Sequence, residues 1–504
     1  MNRRDFLKKT ALVGVSAALG GCLGPVEWKK DSKPNVLFIL VDDLGAKDLG
    51  CYGSSFYETP NIDALAAAGM MFTNAYAASP VCTPTRASIQ SGKYPARIGI
   101  NFILNDGLKD PSYPLCPPHC ETEMKLSEVT LAETLKTDGY KTFFAGKWHL
   151  GEEEKYYPEQ QGYDINYGGH KGGQPGSYFY PYENDFMDGY FNVPDLEDGE
   201  EGKYLTDHLT DKTVEFIKNN SDNSFFAFMS YYSVHTPLEA KPDLVEKYRL
   251  KAEKMGLGGE VPFEVEENAC DDYRTPEFEK ISYTRTNQAH AVYAAMIESV
   301  DQNVGRLLRC LEQEGLADNT AVILFSDNGG LSTHTHRPLE KMPTSNYPLR
   351  AGKGWLYEGG IREPLIVRWP GVVKPGSYND EPVISVDFYP TVMDMAGIKS
   401  TPQKLDGVSL MPLLTGRKEL DRDAIYWHMP HYHSSGVCPS GAVRWKDYKL
   451  IEYFEDSRVE LFNLKDDESE RNDISGKRPD IAALLKTKLE NWRKDVNAAM
   501  PVKQ

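Results

Sequence analysis

Apolar positions in this chain gather into short continuous blocks, most of them closed by acids or glycine. The first is Pro34-Asn-Val-Leu-Phe-Ile-Leu-Val41, followed at once by Asp42 and Asp43. A run of this length with no alternation predicts a central strand buried on both faces. Thr59-Pro60-Asn61 carries helix-start residues and predicts a helix over 62–68. Further along, the pattern predicts helices at 127–137 (stopped by Gly139), 206–219, 285–314 and 386–396. It predicts strands at 141–145, 225–231, 321–325 and 365–367. Strands thus alternate with helices, and polar clusters such as Ser326-Asp327-Asn328-Gly329-Gly330 stand just after strands. The fold class this implies is α/β, with a large central, mixed but mainly parallel sheet sandwiched by helices. Ligands of such sheets bind beyond the carboxyl ends of the strands.

Three stretches break the rhythm. Residues 151–204 are rich in Gly, Tyr and Asp with little periodicity, and read as loops shaping a cleft. Residues 251–284 and 331–350 read as further insertions. From residue 418 onward the blocks become short strands (424–427, 442–445, 449–453, 459–462) with a closing helix at 481–496. This predicts a smaller C-terminal α+β subdomain with a short antiparallel sheet. The expected organisation is a leader over 1–21, a tether over 22–33, a catalytic domain over 34–417 and the subdomain over 418–504. No internal repeat is visible.

Composition changes the picture in two places. The 504 residues carry 40% hydrophobic and 26% charged side chains, with 29 Tyr, 20 Phe and 7 Trp to build a core. That excludes a disordered, collagenous or coiled-coil chain. The formal net charge of −18 argues against a nucleic-acid partner, whose binder should be basic, and at first sight against an anionic substrate as well. The second place is the start of the chain. Arg3-Arg4-Asp5-Phe6-Leu7-Lys8 precedes a mild apolar run, Ala11 to Leu19, too short to span a bilayer. It resembles the twin-arginine export signal, although Asn2 departs from the usual Ser/Thr. Leu19-Gly20-Gly21-Cys22 resembles a lipobox, which would make Cys22 a lipid anchor to a membrane after passage through the export machinery. The expected location is periplasmic or cell-surface. Removing residues 1–21 takes four bases and one acid, moving the charge from −18 to −21. An exported protein admits disulfides among its eight cysteines. Cys116-Pro-Pro-His119-Cys120 reads as either a local disulfide or a metal pair with His119.

The segment richest in chemistry is Ser79-Pro-Val-Cys82-Thr-Pro-Thr-Arg86-Ala-Ser-Ile-Gln-Ser91-Gly92. Cys-x-Pro-x-Arg alone would match a buried cysteine before a helix. The fuller pattern resembles the sequence recognised by the enzymes that convert Cys to formylglycine in type I sulfatases. Six further matches follow the same order: Asp42-Asp43-Leu-Gly with Asp48-Leu-Gly-Cys-Tyr-Gly53, Thr59-Pro-Asn-Ile-Asp63, Gly146-Lys147-Trp-His149-Leu-Gly151, Val234-His235-Thr-Pro237, Ser326-Asp327-Asn328-Gly329, and Gly352-Lys353-Gly354 leading to Tyr357-Glu-Gly-Gly-Ile-Arg362. The resemblance covers residues 34 to about 490, nearly the whole mature chain.

It implies that Asp42, Asp43, Asp327 and Asn328 bind calcium together with the modified Cys82. Read on their own, these are hard oxygen donors suited to calcium or magnesium, and three converging acids should repel one another without a cation. It implies that Cys82, oxidised by a maturating enzyme and hydrated, attacks sulfur and expels the alcohol. Arg86 then steadies the nucleophile, Lys147 and Lys353 hold sulfate, His149 is the base that regenerates the aldehyde, and His235 the acid for the leaving group, with Lys353 competing. Ile425-Tyr-Trp-His428-Met-Pro-His431-Tyr-His433 with Ala442–Ile451 looks like bacterial carbohydrate sulfatases that include enzymes for 4-sulfated galactose-type sugars. His428, His431, His336 and Arg337 are therefore candidate substrate contacts, and the Tyr-rich stretch 156–190 a candidate stacking surface. The alternatives left open are a phosphatase or phosphonate monoester hydrolase of the same superfamily and an inactive glycan-binding lipoprotein. The acidic charge should slow the approach of a polyanion, which favours short, sparsely sulfated oligosaccharides.

Overall fold

The structure is a computed structural model that describes residues 33–103, 112–267, 281–335 and 342–504. The leader and Cys22 lie outside the described residues. In chain order the principal elements are β1 (Asn35–Val41), α1 (Pro60–Ala67), β2 (Met70–Tyr76), α2 (Cys82–Ser91), α3 (Leu131–Thr137), β3 (Lys141–Gly146), β4 (Ile165–Tyr167), α4 (Leu205–Asn219), β5 (Phe225–Tyr231), α5 (Pro242–Lys254), α6 (Ala291–Gln313), β6 (Thr320–Ser326), β7 (Arg362–Arg368), β8 (Ser377–Asn379), β9 (Val383–Ile384) and α7 (Phe388–Ala396). A second group follows: β10 (Ile425–Met429), β11 (Ser440–Trp445), β12 (Tyr448–Tyr453), β13 (Val459–Asn463) and α8 (Pro479–Asp495).

The large sheet has nine strands in the order β8-β2-β7-β6-β1-β5-β3-β4, with β9 also on β2. β1 pairs parallel with β5 and β6, and β3 parallel with β5 and β4. β7 alone runs against its neighbours, antiparallel to both β6 and β2. β1 explains why its sequence is continuously apolar: all seven residues are buried. Leu37, Ile39 and Val41 pack with α1, α4, α5 and α6 on one face. Val36, Phe38 and Leu40 pack with α2, α3 and α7 on the other. Lys33–Gln504 is one compact unit, within which β10–β13 form an all-antiparallel sheet in sequence order backed by α8. The expected α/β architecture and small antiparallel sheet are therefore present. Among the described residues no helix is long and apolar enough to cross a membrane.

The differences from the sequence expectations have local causes. β2 was not anticipated. Its sequence Met-Met-Phe-Thr-Asn-Ala-Tyr mixes apolar and half-buried polar positions, and only pairing with β7, β8 and β9 makes it a strand. The long helix starts at Ala291 rather than 285, because His290 caps it and Arg285 ends a strand, Ser282–Arg285, that pairs with Phe263–Glu266 and Thr333–His334. α3 starts at Leu131, where Thr130 and Glu133 make a reciprocal capping box. The loop stretch 151–204 contributes an edge strand, β4. Cys116 and Cys120 are free thiols rather than a disulfide, and they join no metal-binding cluster among the described residues. Cys120 Sγ instead accepts the amides of Asn101 and Phe102, both at 3.1 Å.

Candidate active site

Four parallel strands deliver their next residues to one edge of the sheet. β1 ends into Asp42 and Asp43, β3 into Lys147 and His149, β5 into His235, and β6 into Asp327 and Asn328. The reversed β7 begins at that same edge, so the segment leading into it brings Lys353 there. Cys82 is the first residue of α2, after Val81 in extended conformation. The positive end of the helix dipole therefore lies at its sulfur.

Asp42, Asp43 and Asp327 are buried and offer carboxylate oxygens within 4.8 Å of one another. The repulsion expected among them is answered by three cations of the chain. Lys147 Nζ donates to Asp42 Oδ2 at 2.7 Å, and Lys353 Nζ to Asp43 Oδ1 at 2.6 Å. Arg86 Nε donates to Asp327 Oδ2 at 2.8 Å, while Nη2 stands 3.4 Å from Asp42 Oδ1. Repulsion alone thus does not demand a metal. The donor set does suit one: every group is oxygen-bearing, and no hydrogen bond reaches the buried Asp42 Oδ1 or Asn328 Oδ1.

Cys82 Sγ lies 3.4 Å from His149 Nδ1, which is also 3.1 Å from Thr83 Oγ1. His235 Nδ1 donates to the Thr236 carbonyl at 2.9 Å, so Nε2, 3.7 Å from Asp43 Oδ2, is the nitrogen left to exchange protons. Burial, then the charges of Lys147, Arg86 and Lys353, hold His149 neutral far below the usual histidine range. Burial and Lys353 push His235 down to about 3. Burial and the Asp327 charge push the Asp42 carboxyl up, against the pull of Lys147 and Arg86. For Asp43 burial also works upward, but Lys353, His235 and Lys147 outweigh it and the carboxyl stays below its ordinary range.

The structure therefore gathers Asp42, Asp43, Cys82, Arg86, Lys147, His149, His235, Asp327, Asn328 and Lys353 at one place. It does not bring His428 or His431 within reach of a ligand. His431 is 0% exposed, its ring stacked on Phe102 at 4.8 Å. His428 is 4% exposed with Nε2 bonded to the Ala499 carbonyl at 2.8 Å. Both belong to the packing under the small sheet, where desolvation keeps them neutral, and not to a sugar-facing surface. His336 and Arg337 lie outside the described residues. Sequence reading missed Ser230, whose Oγ donates to the Lys147 carbonyl at 2.7 Å and accepts Arg86 Nη1 at 2.8 Å. A lone hydroxyl inside the apolar run of β5 was the available signal.

Known proteins are similar to this chain in sequence and fold. The family model described as Sulfatase matches residues 34–398, and one described as N-sulphoglucosamine sulphohydrolase, C-terminal, matches residues 351–495. A sulfatase of Formosa agariphila is 32% identical, over 97% of this chain and 94% of the relative. N-acetylgalactosamine-6-sulfatase of Homo sapiens is 29% identical, over 78% of this chain and 68% of the relative. The crystal structure of Ps i-CgsB in complex with k-i-k-neocarrahexaose superposes with a TM-score of 0.72 at 28% identity, covering 92% of this chain and 93% of that one. The chain belongs to the sulfatase family, within the alkaline-phosphatase-like superfamily. It is a sulfuric ester hydrolase.

Proposed function

We propose that this chain removes an O-sulfate ester from a carbohydrate of galactose or N-acetylgalactosamine type, with 4-O-sulfate the ester its C-terminal sequence favours. The observation that carries the reading is Cys82 at the start of α2, 3.4 Å from neutral His149, beside three buried carboxylates and three cations. The names of the similar proteins, a complex with k-i-k-neocarrahexaose and an N-acetylgalactosamine-6-sulfatase, support a galactose-type glycan as the substrate class, while the position of the ester rests on the C-terminal sequence alone.

Asp42, Asp43, Asp327 and Asn328 would hold calcium, which when bound supplies a Lewis acid for a sulfate oxygen. Cys82, matured to formylglycine by a separate enzyme, would supply the oxygen nucleophile as its hydrated aldehyde. The rest is the work of the chain's own side chains. Arg86, fixed by Asp327, Ser230 and the Lys147 carbonyl, keeps a charge next to residue 82 that cannot swing away. Lys147 and Lys353, paired with Asp42 and Asp43, are the cations that screen the anionic sulfate oxygens. His149, neutral at pH 7, takes a proton from the group at position 82. His235, neutral with Nε2 unprotonated, would take a proton from solvent at Nε2 as an anionic sulfate oxygen arrives beside it, and pass that proton to the oxygen of the departing alcohol. Lys353, which Asp43 keeps protonated, is the competing donor.

Mass spectrometry of the Cys82 peptide from the native host should find the aldehyde. Cys82→Ala should abolish sulfate release from a sulfated galactose panel while thermal unfolding stays unchanged. Sulfate release by that variant would sink the mechanism. Stripping divalent ions with a chelator should lower both activity and Tm, and calcium should restore both, since a ligand that binds only the folded state at 100 times its Kd adds about 2.7 kcal/mol. An unmoved Tm would remove calcium from the reading.

A further inference from the structure

We propose that three aromatic rings, linked through Lys171 and Glu152 to the segments that contact or follow His149, form a stacking platform for a sugar unit beyond the sulfated one, an inference that rests on the glycan reading above. The segment that leads to the platform touches His149. The His149 amide donates to the His170 carbonyl at 3.1 Å, so the segment after β4 runs along the histidine. At Gly173 any side chain would collide with the imidazole: a Cβ would lie 2.5 Å from His149 Cε1. Lys171 is two residues from Gly173, so their Cα atoms are within about 7 Å.

From Lys171 the rings continue one against the next. Lys171 Nζ stands 4.4 Å over the Tyr190 ring, and the Tyr190 hydroxyl donates to Glu152, three residues beyond His149, at 2.7 and 2.8 Å. Phe191 meets Tyr190 edge-on, centroids 5.0 Å apart at 80°. Phe186 stacks on Phe191 at 5.9 Å and 8°. Phe186 and its neighbour Met187 are 59% and 58% exposed.

An exposed apolar patch needs an occupant to account for it, and this one fits a sugar ring. A pyranose offers an apolar C–H face for a phenyl ring and a rim of hydroxyls for polar groups beside it. Here the polar groups are Lys171, Glu152 and the Tyr190 hydroxyl, while the apolar surface stops at Phe186, Met187 and Phe191. A protein partner would need an apolar centre several times larger.

The test is steady-state kinetics of Phe186→Ala, and of Phe186→Ala combined with Phe191→Ala, on three substrates: an aryl sulfate, a sulfated monosaccharide, and a sulfated tetrasaccharide. Two lost ring contacts should raise KM for the tetrasaccharide about 5- to 20-fold. The aryl sulfate and the monosaccharide should stay within about twofold of wild type, which also reports that the variants fold. A tetrasaccharide KM unchanged in both variants overturns the platform and leaves the glycan reading standing. If wild type cleaves the aryl sulfate but no sulfated sugar of any length, the glycan reading and the platform fall together.

Discussion

His149 shows how one side chain is set for its task by its surroundings. It sits in the left-handed backbone region at φ 57, its amide on the His170 carbonyl and its ring between Cys82 and Gly173. Burial and three nearby cations make the protonated ring costly. The sign is direct: a histidine whose proton affinity is lowered is in its basic form above that lowered value and loses it only as pH falls through it. The acid limb of kcat/KM should therefore lie below pH 6.5, the ordinary histidine midpoint. Rates on a small sulfate ester across the acid range, with chain stability checked at each pH, will measure it. A limb centred at 6.5 or above would mean that the cations do not act on His149 as described.

At the scale of elements, the site depends on strand ends that meet closely. Gly146 closes β3 one residue before Lys147, at φ +105, and a Cβ there would come within 1.8 Å of the Ser230 carbonyl oxygen on β5. Both the conformation and the backbone contact oppose any side chain. Gly146→Ala should cost at least about 1–3 kcal/mol of stability and, by shifting Lys147 and Arg86 together, lower kcat/KM by 10² or more. Denaturant unfolding and sulfate release will check the two effects, and a variant of wild-type Tm and rate would contradict the account. Elements were also where sequence reading was strongest. β1, β3, β5 and β6 were legible because each is a buried apolar block closed by polar residues. β2 was not, since Thr73 and Asn74 interrupt its apolar pattern and its pairing partners lie some 290 to 310 residues downstream.

Across the whole molecule, the small sheet reaches back to the catalytic edge through buried charge. Lys449 on β12 donates to Glu358 Oε1 and faces Glu470 Oε1, both at 2.9 Å. Glu358 accepts the Tyr76 hydroxyl at 2.8 Å, and its amide donates to Glu470 Oε2 at 2.6 Å. The segment from Lys353 into β7 is thus fastened from below by residues nearly a hundred positions later. Lys449→Met would take the shared lysine from two buried carboxyls, leaving Glu358 with Tyr76 and Arg362 and Glu470 with the Glu358 amide, and should cost up to about 3–5 kcal/mol, whereas Lys449→Met combined with Glu358→Gln and Glu470→Gln should cost less. Denaturation midpoints of the two chains will decide, and a triple variant less stable than the single one would contradict this.

By itself the sequence determined the candidate residues, Ser230 excepted, and the family they resemble. Each candidate except Lys353 stands within a few residues of a strand end or helix start, and such motifs are local, as are the alternation and blocks that reveal the elements. Only the tertiary structure decided what those residues meet. Nothing local says that β7 runs backwards, yet that reversal is what delivers Lys353 to the edge where Asp43 waits. Nothing local separates His149, beside Cys82, from His428 and His431, which look equally chemical in sequence and are sealed under a sheet. Contact between residues far apart in the chain is set by how whole faces pack, and packing depends on every surface at once rather than on any one segment.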